Sequence, residues 1–465
     1  MTDSTLLPSF IKGEWWTPAN PQKVTEIQDT STGDVIFTAS TEGIDTQGAI
    51  EYARETGQKS LGELTIHERA LKIKELAIYL NEHKQELYEL SFATGSTQRD
   101  HFIDIDGGIG TLFTFSSKGR RELPNSNVII DGTPEILSKD GSFIGEHIFT
   151  RLPGVAVEIN AFNFPVWGML EKFAPAFIAG MPSIVKPATA TGYVTEACVR
   201  MMLNSGVLPE GSLQLISGSA RDLLDYLDYR DHVAFTGSAD TAQTLRSHPN
   251  VQTKGVRFTA ETDSLNAAIL GPDAEPDTPE FEAFIKSVFV EITAKAGQKC
   301  TAIRRVMVPA GRRDDVASAL SKMVSSKVKM GDPRKEGNTT GALASFEQVG
   351  EVSSSVQKLT AAGGKIAFQS EAPEEGAFHP VTVLTFDDAR NEAIHSIEAF
   401  GPVTSIIEYS DIDEAIELAA LGEGSLVATV CTNDRDTAQK VVLGIAAHHG
   451  RVLVLNREDA KTSTG

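Results

Sequence analysis

The chain has 465 residues, 41% of them hydrophobic and 23% charged, with a formal net charge of −21. That length exceeds one ordinary core and implies two domains of a soluble globular protein. The acidic balance opposes phosphate backbones and anionic lipid surfaces, so neither nucleic acid nor a membrane is an expected partner. No stretch reaches ~18 apolar residues, and the start shows no basic segment followed by an apolar one, so a cytoplasmic location is expected. The three cysteines, Cys198, Cys300 and Cys431, form no short-spaced pair. A disulfide framework and a structural zinc site are therefore excluded, and no metal is expected.

Residues 1–60 mix short apolar runs with Gly, Pro and Thr. Thr65 to Glu68 has the spacing of a capping box, followed by Leu71, Leu76, Ala77, Leu80, Leu87 and Leu90 at helical spacing. This predicts a helix to about Thr94, stopped by Gly95. A Gly-rich, then apolar, run from Asp104 to Phe115 predicts a second helix. Alternation over Asp131 to Thr150, with Asp140-Gly141 between its halves, predicts a hairpin.

Strand and helix patterns then alternate. Strands are predicted at Val155–Ile159, Ser183–Val185, Leu213–Ser217, His232–Phe235 and Val256–Thr259. Helices are predicted between them at Trp167–Ile178, Tyr193–Asn204, Ala220–Leu227 and Ala239–Arg246. Short buried strands separated by helices imply a doubly wound parallel sheet, whose ligands bind beyond the carboxyl ends of the strands. The residues standing there are Asn160-Ala-Phe-Asn163-Phe-Pro165, Lys186-Pro-Ala, Phe235-Thr236-Gly237-Ser238 and Glu261. They supply an amide, a cation, a helix N-terminus suited to phosphate and a carboxylate. There is no GxGxxG, so the ordinary dinucleotide fingerprint is missing.

A second alternation runs from Asp263. Its strands are predicted at Ala267–Leu270, Ile303–Val308, Val381–Leu384, Val403–Ile407, Leu426–Val430 and Val452–Leu455. Its helices are predicted at Phe281–Ala294, Asp314–Lys327, Ser345–Ala361, Ile412–Ala420 and Arg435–Ala447. Cys300 falls where a helix gives way to a strand, a position held by the scaffold yet accessible. Taken singly, a lone cysteine is more often a small buried apolar group than a nucleophile. Likewise Asn163 alone reads as a turn amide, Glu261 and Glu398 as surface acids, Lys186 as a solvated loop lysine and Ser238 as a helix cap. Lys299, Arg304 and Arg305 flank the cysteine and read as surface or ion-pair residues.

The ordered set changes those readings. Asn163-Phe-Pro, Lys186-Pro-Ala, Phe235-Thr-Gly-Ser238, Glu261, Gly297-Gln-Lys-Cys300 and Glu398-x-Phe400-Gly-Pro402 together resemble the aldehyde dehydrogenase superfamily over nearly the whole chain. The resemblance implies an α/β fold of two doubly wound parallel-sheet domains plus a small bridging hairpin. It places a nicotinamide-dinucleotide domain at 1–133 and 152–262, the hairpin at 134–151, a catalytic cysteine domain at 263–455, and an incomplete C-terminal segment at 456–465. It implies Cys300 as nucleophile, Asn163 as oxyanion donor and Glu261 as general base. For the cofactor it implies Lys186 at the adenosine ribose, Ser238 at the pyrophosphate and Glu398 at the nicotinamide ribose, with Thr189, Phe235, Thr236, Gly237 and Phe400 also at the cofactor. NAD-preferring members carry Glu where Thr189 stands. A carboxylate would repel a 2′-phosphate and a threonine would not, so NADP is expected, with NAD possible.

Most members follow the base with Leu-Gly-Gly-Lys, whereas this chain reads Glu261-Thr-Asp-Ser-Leu-Asn266. With Gly297-Gln-Lys-Cys-Thr-Ala-Ile-Arg-Arg305, Asp104-Ile-Asp-Gly-Gly108 and Leu137-Ser-Lys139, it resembles the branch that oxidises CoA-linked semialdehydes from bacterial aromatic ring opening, as in phenylacetate and benzoyl-CoA degradation. That implies a substrate of the 3-oxo-5,6-dehydrosuberyl-CoA semialdehyde type and a homodimer or larger homo-oligomer. The last residues, Lys461-Thr-Ser-Thr-Gly465, follow a strand-like run with no closing helix, which reads as a chain cut short. A CoA-acylating or general aldehyde dehydrogenase, and a truncated scaffold subunit without activity, remain as alternatives.

Overall fold

The computed structural model describes residues 5–219 and 222–458. Its contacts divide the chain into two compact units, residues 1–28, 35–91 and 101–262, and residues 29–34, 92–100 and 263–465.

The first unit is built on a seven-stranded sheet. Its spatial order is Arg257–Glu261, His232–Thr236, Ala156–Ile159, Ser183–Lys186, Leu213–Leu215, Ser9–Ile11 and Glu14–Trp16. The first five run parallel and the last two add an antiparallel edge. The parallel strands start at Ala156–Ile159, run outward to one side through Ser183–Lys186 and Leu213–Leu215, then return to the other side at His232–Thr236. The sheet therefore has a switch point between Ala156–Ile159 and His232–Thr236, where such folds bind ligands. Val155, Val157, Ile184, Ile216 and Val233 are fully buried and form one core with Ala49, Ile50 and Ala53. Helix Trp167–Ile178 packs on Ala156–Ile159 and Ser183–Lys186.

The second unit holds another seven-stranded sheet, ordered Lys365–Gln369, Thr382–Thr385, Val403–Tyr409, Arg305–Pro309, Ala267–Leu270, Ser425–Cys431 and His449–Leu455. All pairs are parallel except the first. Two apolar clusters line it, one including Ile269, Met307, Val403 and Ile407, the other Leu270, Val306, Val308 and Ile406.

Several expectations need correction. The helix predicted from Thr65 to Thr94 begins on a complete capping box, Thr65 with Glu68. It breaks at Lys84, however, into Ile66–His83, Gln85–Ser91 and a 3₁₀ turn Phe92–Thr94. Gly95 then takes φ 78°, which ends the run as expected. The helix predicted from Asp104 is a π-helical turn, Phe102–Asp106, leading into Gly107–Arg121. Of the helix predicted at Ala220–Leu227, only a 3₁₀ turn Leu223–Tyr226 forms, and its first two residues lie outside the described set. The unassigned first sixty residues hold five short strands and a run of helical turns from Thr46 to Gly62. Edge strand Lys365–Gln369 and short helix Glu392–Ser396 were also not predicted. The hairpin forms from Val128–Ile136 and Ile144–Thr150.

Candidate active site

Four of the predicted groups share the carboxyl rim of the first sheet. Asn163 is 7% exposed and sits in the turn between strand Ala156–Ile159 and helix Trp167–Ile178. That turn is pinned from three sides. The carboxylate of Asp104 accepts from the amides of Val166 and Trp167 at 3.1 and 2.7 Å, capping the helix that begins there. Thr191 and Thr195 donate their hydroxyls to the carbonyls of Phe162 and Pro165, each at 3.0 Å. The π turn at Phe102–Asp106 sets Asp104 in place, an instance of a π-bulge at a functional position. Asp104 was quoted in the sequence only as a mark of the branch. Its capping role had no local signal, because its partners lie far along the chain.

Lys186 closes strand Ser183–Lys186, and Thr189 opens a 3₁₀ turn three residues on. Burial holds the Lys186 ammonium below the usual lysine range. Its Nζ donates to the carbonyl of Pro187 at 3.2 Å. Phe235 and Thr236 lie inside strand His232–Thr236, not after it as expected. Ser238 caps helix Ala239–Arg246, accepting from the Thr241 amide at 3.3 Å. Glu261 is likewise the last residue of its strand, paired with Thr236, and its carbonyl accepts from the Gly237 amide at 3.1 Å. Strand pairing at this edge starts at Arg257, one residue later than the buried Val256 suggested.

A cavity of about 440 Å³ opens in this unit, lined by Thr111, Phe115, Trp167, Lys172, Thr236 and Glu261 among others. Its lining includes the aromatic rings of Phe115, Trp167 and Phe235 as well as Glu261. Among the described residues, the hydroxyl of Thr236 and the side-chain amide of buried Asn160 have no hydrogen-bond partner. A half-buried lysine, orphaned polar atoms and a capped helix N-terminus on one rim fit a polar, anionic ligand such as a dinucleotide.

The second unit places Cys300, Glu398 and Phe400 before, rather than after, the strands of its sheet. Cys300 is half-buried in the turn ahead of Arg305–Pro309, and Glu398 precedes Val403–Tyr409. The helix ahead of the cysteine ends at Thr293, earlier than expected. Lys295, Ala296 and Gly297 follow with φ of 49°, 51° and 70°. This left-handed run is strained for Lys and Ala, a feature that clusters at functional sites. Lys295 is anchored by its amide to Asp100 at 2.7 Å and by Nζ to Thr94 and Ser96. Fully buried Asn266 donates to the carbonyls of Cys300 and Ala302 at 2.8 and 2.9 Å, fixing the turn on both sides of the cysteine. Asn266 was quoted in the sequence as a departure from the usual pattern, without this role.

The cations around Cys300 are already engaged. Lys299 pairs with Glu291 at 2.7 Å. Arg305 is fully buried and donates to the carbonyls of Leu265, Leu418 and Ala419, which fills the end of helix Ile412–Ala420. Arg304 pairs with Glu398 at 3.4 Å. The ion-pair reading therefore holds for Lys299 and Arg304, while a surface role fails for both arginines. Burial pushes the Glu398 carboxyl up to about 7, opposed by Arg304 and the Ser264 amide. Among the described residues, no group of three His, Cys, Asp or Glu is placed to hold a metal ion. No helix among them is long and apolar enough to cross a membrane.

Comparison with known proteins settles the family. Residues 16–463 match the aldehyde dehydrogenase family. The chain belongs to the aldehyde dehydrogenase family. It is thus an NAD(P)-dependent oxidoreductase that acts on aldehydes. It is 39% identical over 471 residues to a 3,4-dehydroadipyl-CoA semialdehyde dehydrogenase of Aromatoleum evansii, covering 99% of this chain and 90% of that protein. It is 32% identical over 301 residues to a putative aldehyde dehydrogenase of Staphylococcus saprophyticus, covering 63% and 61% of the two. Its fold matches a betaine aldehyde dehydrogenase of Staphylococcus aureus in complex with NAD+, with a TM-score of 0.85 and 24% identity over 96% of this chain and 87% of that one. An aldehyde dehydrogenase of Bacillus cereus, also in an NAD+ complex, gives 0.83 and 25% over 96% and 88%. The expected superfamily and α/β architecture are therefore correct.

Proposed function

We propose that this aldehyde dehydrogenase oxidises a CoA-linked semialdehyde from aromatic ring degradation to the free carboxylic acid, with NADP in preference to NAD. The observation that carries the substrate class is the 39% identity across 99% of the chain to a protein named for such a substrate. The cofactor reading rests on Thr189, which places no carboxylate three residues after Lys186.

In this reading the Cys300 thiolate attacks the aldehyde carbon and the carbonyl π-electrons move onto oxygen. The Asn163 side-chain amide and the Cys300 backbone N–H donate to that oxygen, and one such donor contributes ~3 kcal/mol to the transition state. A nicotinamide dinucleotide, when bound, would supply the acceptor for the hydride that leaves the former aldehyde carbon. The C–O bond regains its double bond and a thioester remains on Cys300. Glu261 takes a proton from water, the water oxygen attacks the acyl carbon, and the C–S bond breaks to return the thiolate and release the acid. Lys186 and Thr189 would hold the adenosine ribose, Phe235, Thr236, Gly237 and Ser238 the pyrophosphate, and Glu398 with Phe400 the nicotinamide ribose. The aromatic walls of the cavity, Phe115 and Trp167, suit an apolar acyl segment beside Glu261.

The hairpin exposes Ile130, Ile136, Phe143, Ile144, Ile148 and Phe149, between 48% and 70% each. So much apolar surface on one ribbon supports a homo-oligomer. A CoA-acylating reaction is disfavoured because Glu261 supplies a base for water. The test is a turnover screen of free and CoA-linked semialdehydes with NADP and NAD, with product analysis. A higher kcat/KM for the CoA-linked aldehyde with NADP, yielding free acid without CoA consumption, is expected. Preference for the free aldehyde, or for NAD, contradicts the corresponding part of the reading.

A further inference from the structure

We propose that Arg304 is a positioning residue that fastens the cysteine turn to the Glu398–Gly401 segment and holds Cys300 and Glu398 in a fixed relation. The guanidinium is 3% exposed, and burial pulls its pKa below the usual arginine range. A buried cation needs its donors met, and here the acceptors come from both segments. One Nη donates to the carbonyl of Gly297, three residues before the cysteine, at 2.8 Å. The other donates to the carbonyl of Gly401 at 2.6 Å. Nε reaches Glu398 at 3.4 Å, and the guanidinium stands 5.5 Å from the centre of the Phe400 ring.

The two segments also meet backbone to backbone. A Cβ on Gly297 would come within 2.2 Å of the Gly401 carbonyl oxygen. Gly297 and Gly401 therefore form a close pass, and Arg304 takes one carbonyl from each side of it. The base of the turn is equally tied. The amides of Arg304 and Arg305 both donate to the Asn266 carbonyl at 3.1 Å, while the Asn266 side chain holds the carbonyls of Cys300 and Ala302. The far oxygen of Glu398 accepts from the Ser264 amide at 3.1 Å, two residues before Asn266. The Ser264 hydroxyl donates to the Asn266 side-chain oxygen at 2.7 Å, so Arg304, Glu398, Ser264 and Asn266 form one closed hydrogen-bonded circuit, from which the Asn266 side chain holds the Cys300 carbonyl. The charged neighbours of Glu398 are Arg304 and Asp263, and those of Arg304 are Glu398, Glu291 and Cys300. A lysine could reach one of these acceptors but not three, since only the planar fork spreads its donors this way.

The role of Glu398 toward the nicotinamide ribose rests on the proposed function, but the fastening does not. The test compares the full chain with Arg304→Lys, Arg304→Gln, Glu398→Gln and the double variant Arg304→Gln/Glu398→Gln. Readouts are the alkylation rate of Cys300 by iodoacetamide without dinucleotide, the calorimetric Kd for NADP+, KM against kcat, and thermal unfolding. Arg304→Gln is expected to change the alkylation rate at least threefold and to weaken NADP+ at least fivefold, with Arg304→Lys between it and wild type. The double variant should bind NADP+ no more weakly than the weaker single variant, because both act through one circuit. A folded Arg304→Gln protein with wild-type alkylation and Kd overturns the proposal. Equal impairment by Lys and Gln, tracking only a lower unfolding temperature, also overturns it by pointing to bulk packing. If Arg304→Gln does not fold, wild-type values in Arg304→Lys have the same force. If Glu398→Gln binds NADP+ normally while Arg304→Gln alters alkylation, the ribose reading fails and the fastening stands.

Discussion

The turn that carries Asn163 is held at its neighbours by a cap and two hydroxyls that belong to other elements. Replacing Asn163 by Ala removes a donor without touching Asp104, Thr191 or Thr195. The expected result is a fall in kcat of about 10²–10³ with an unfolding temperature near wild type. A kcat within a few-fold of wild type would show that the amide does no work on the reacting oxygen. Glu398 is the residue whose charge state is most open to pH. Its carboxyl is pushed up to about 7 by burial, above its ordinary 4.5. Between those values the folded chain keeps a proton that the unfolded chain has released, so stability falls as pH rises through the window. Glu398→Gln removes that dependence. Its urea midpoint relative to wild type should therefore be more favourable at pH 8 than at pH 5. An equal difference at both pH values would contradict the raised carboxyl.

At the scale of elements, the turn from Thr293 to Arg305 carries the account. Gly297 combines φ 70° with a backbone contact that leaves no room for a Cβ. Gly297→Ala should cost about 1–3 kcal/mol of stability from the strained backbone alone, before the clash with Gly401 is relieved. Chemical denaturation checks this, and a neutral result would mean that the two segments part easily. The legibility of these elements in the sequence follows their periodicity. Helices such as Ala239–Arg246 and Ile412–Ala420 form with the expected bounds, because apolar spacing and a Ser or Asp cap mark them locally. Strand Arg257–Glu261 was misplaced by a residue because it is a sheet edge, where exposed Arg257 and Thr259 replace the apolar run of a central strand. The three-residue strands before residue 20 are too short to show alternation at all. The family was legible through the ordered motifs that carry Cys300, Asn163 and Glu261, whose catalytic roles are part of the proposed function. Asp104, Asn266 and Arg304 were not assigned their positioning roles, since each acts by bonding backbone groups brought near only by the fold.

For the molecule as a whole, the net charge of −21 means that an anionic dinucleotide or CoA tail meets a repulsive field and must be held by local groups. On the first unit's rim the groups proposed for this are Lys186 and the N-terminus opened by Ser238, while Lys299, Arg304 and Arg305 are committed to internal partners. The central claim is that oxidation passes through a thioester on Cys300 that Glu261 then hydrolyses. The most direct measurement is a single-turnover reaction of Glu261→Gln with aldehyde and NADP+, quenched in acid and read by peptide mass. One equivalent of NADPH per active chain, no further turnover, and an acyl adduct on the peptide carrying Cys300 are expected. NADPH formation with Cys300 unmodified, or steady turnover at the wild-type rate, would contradict that claim.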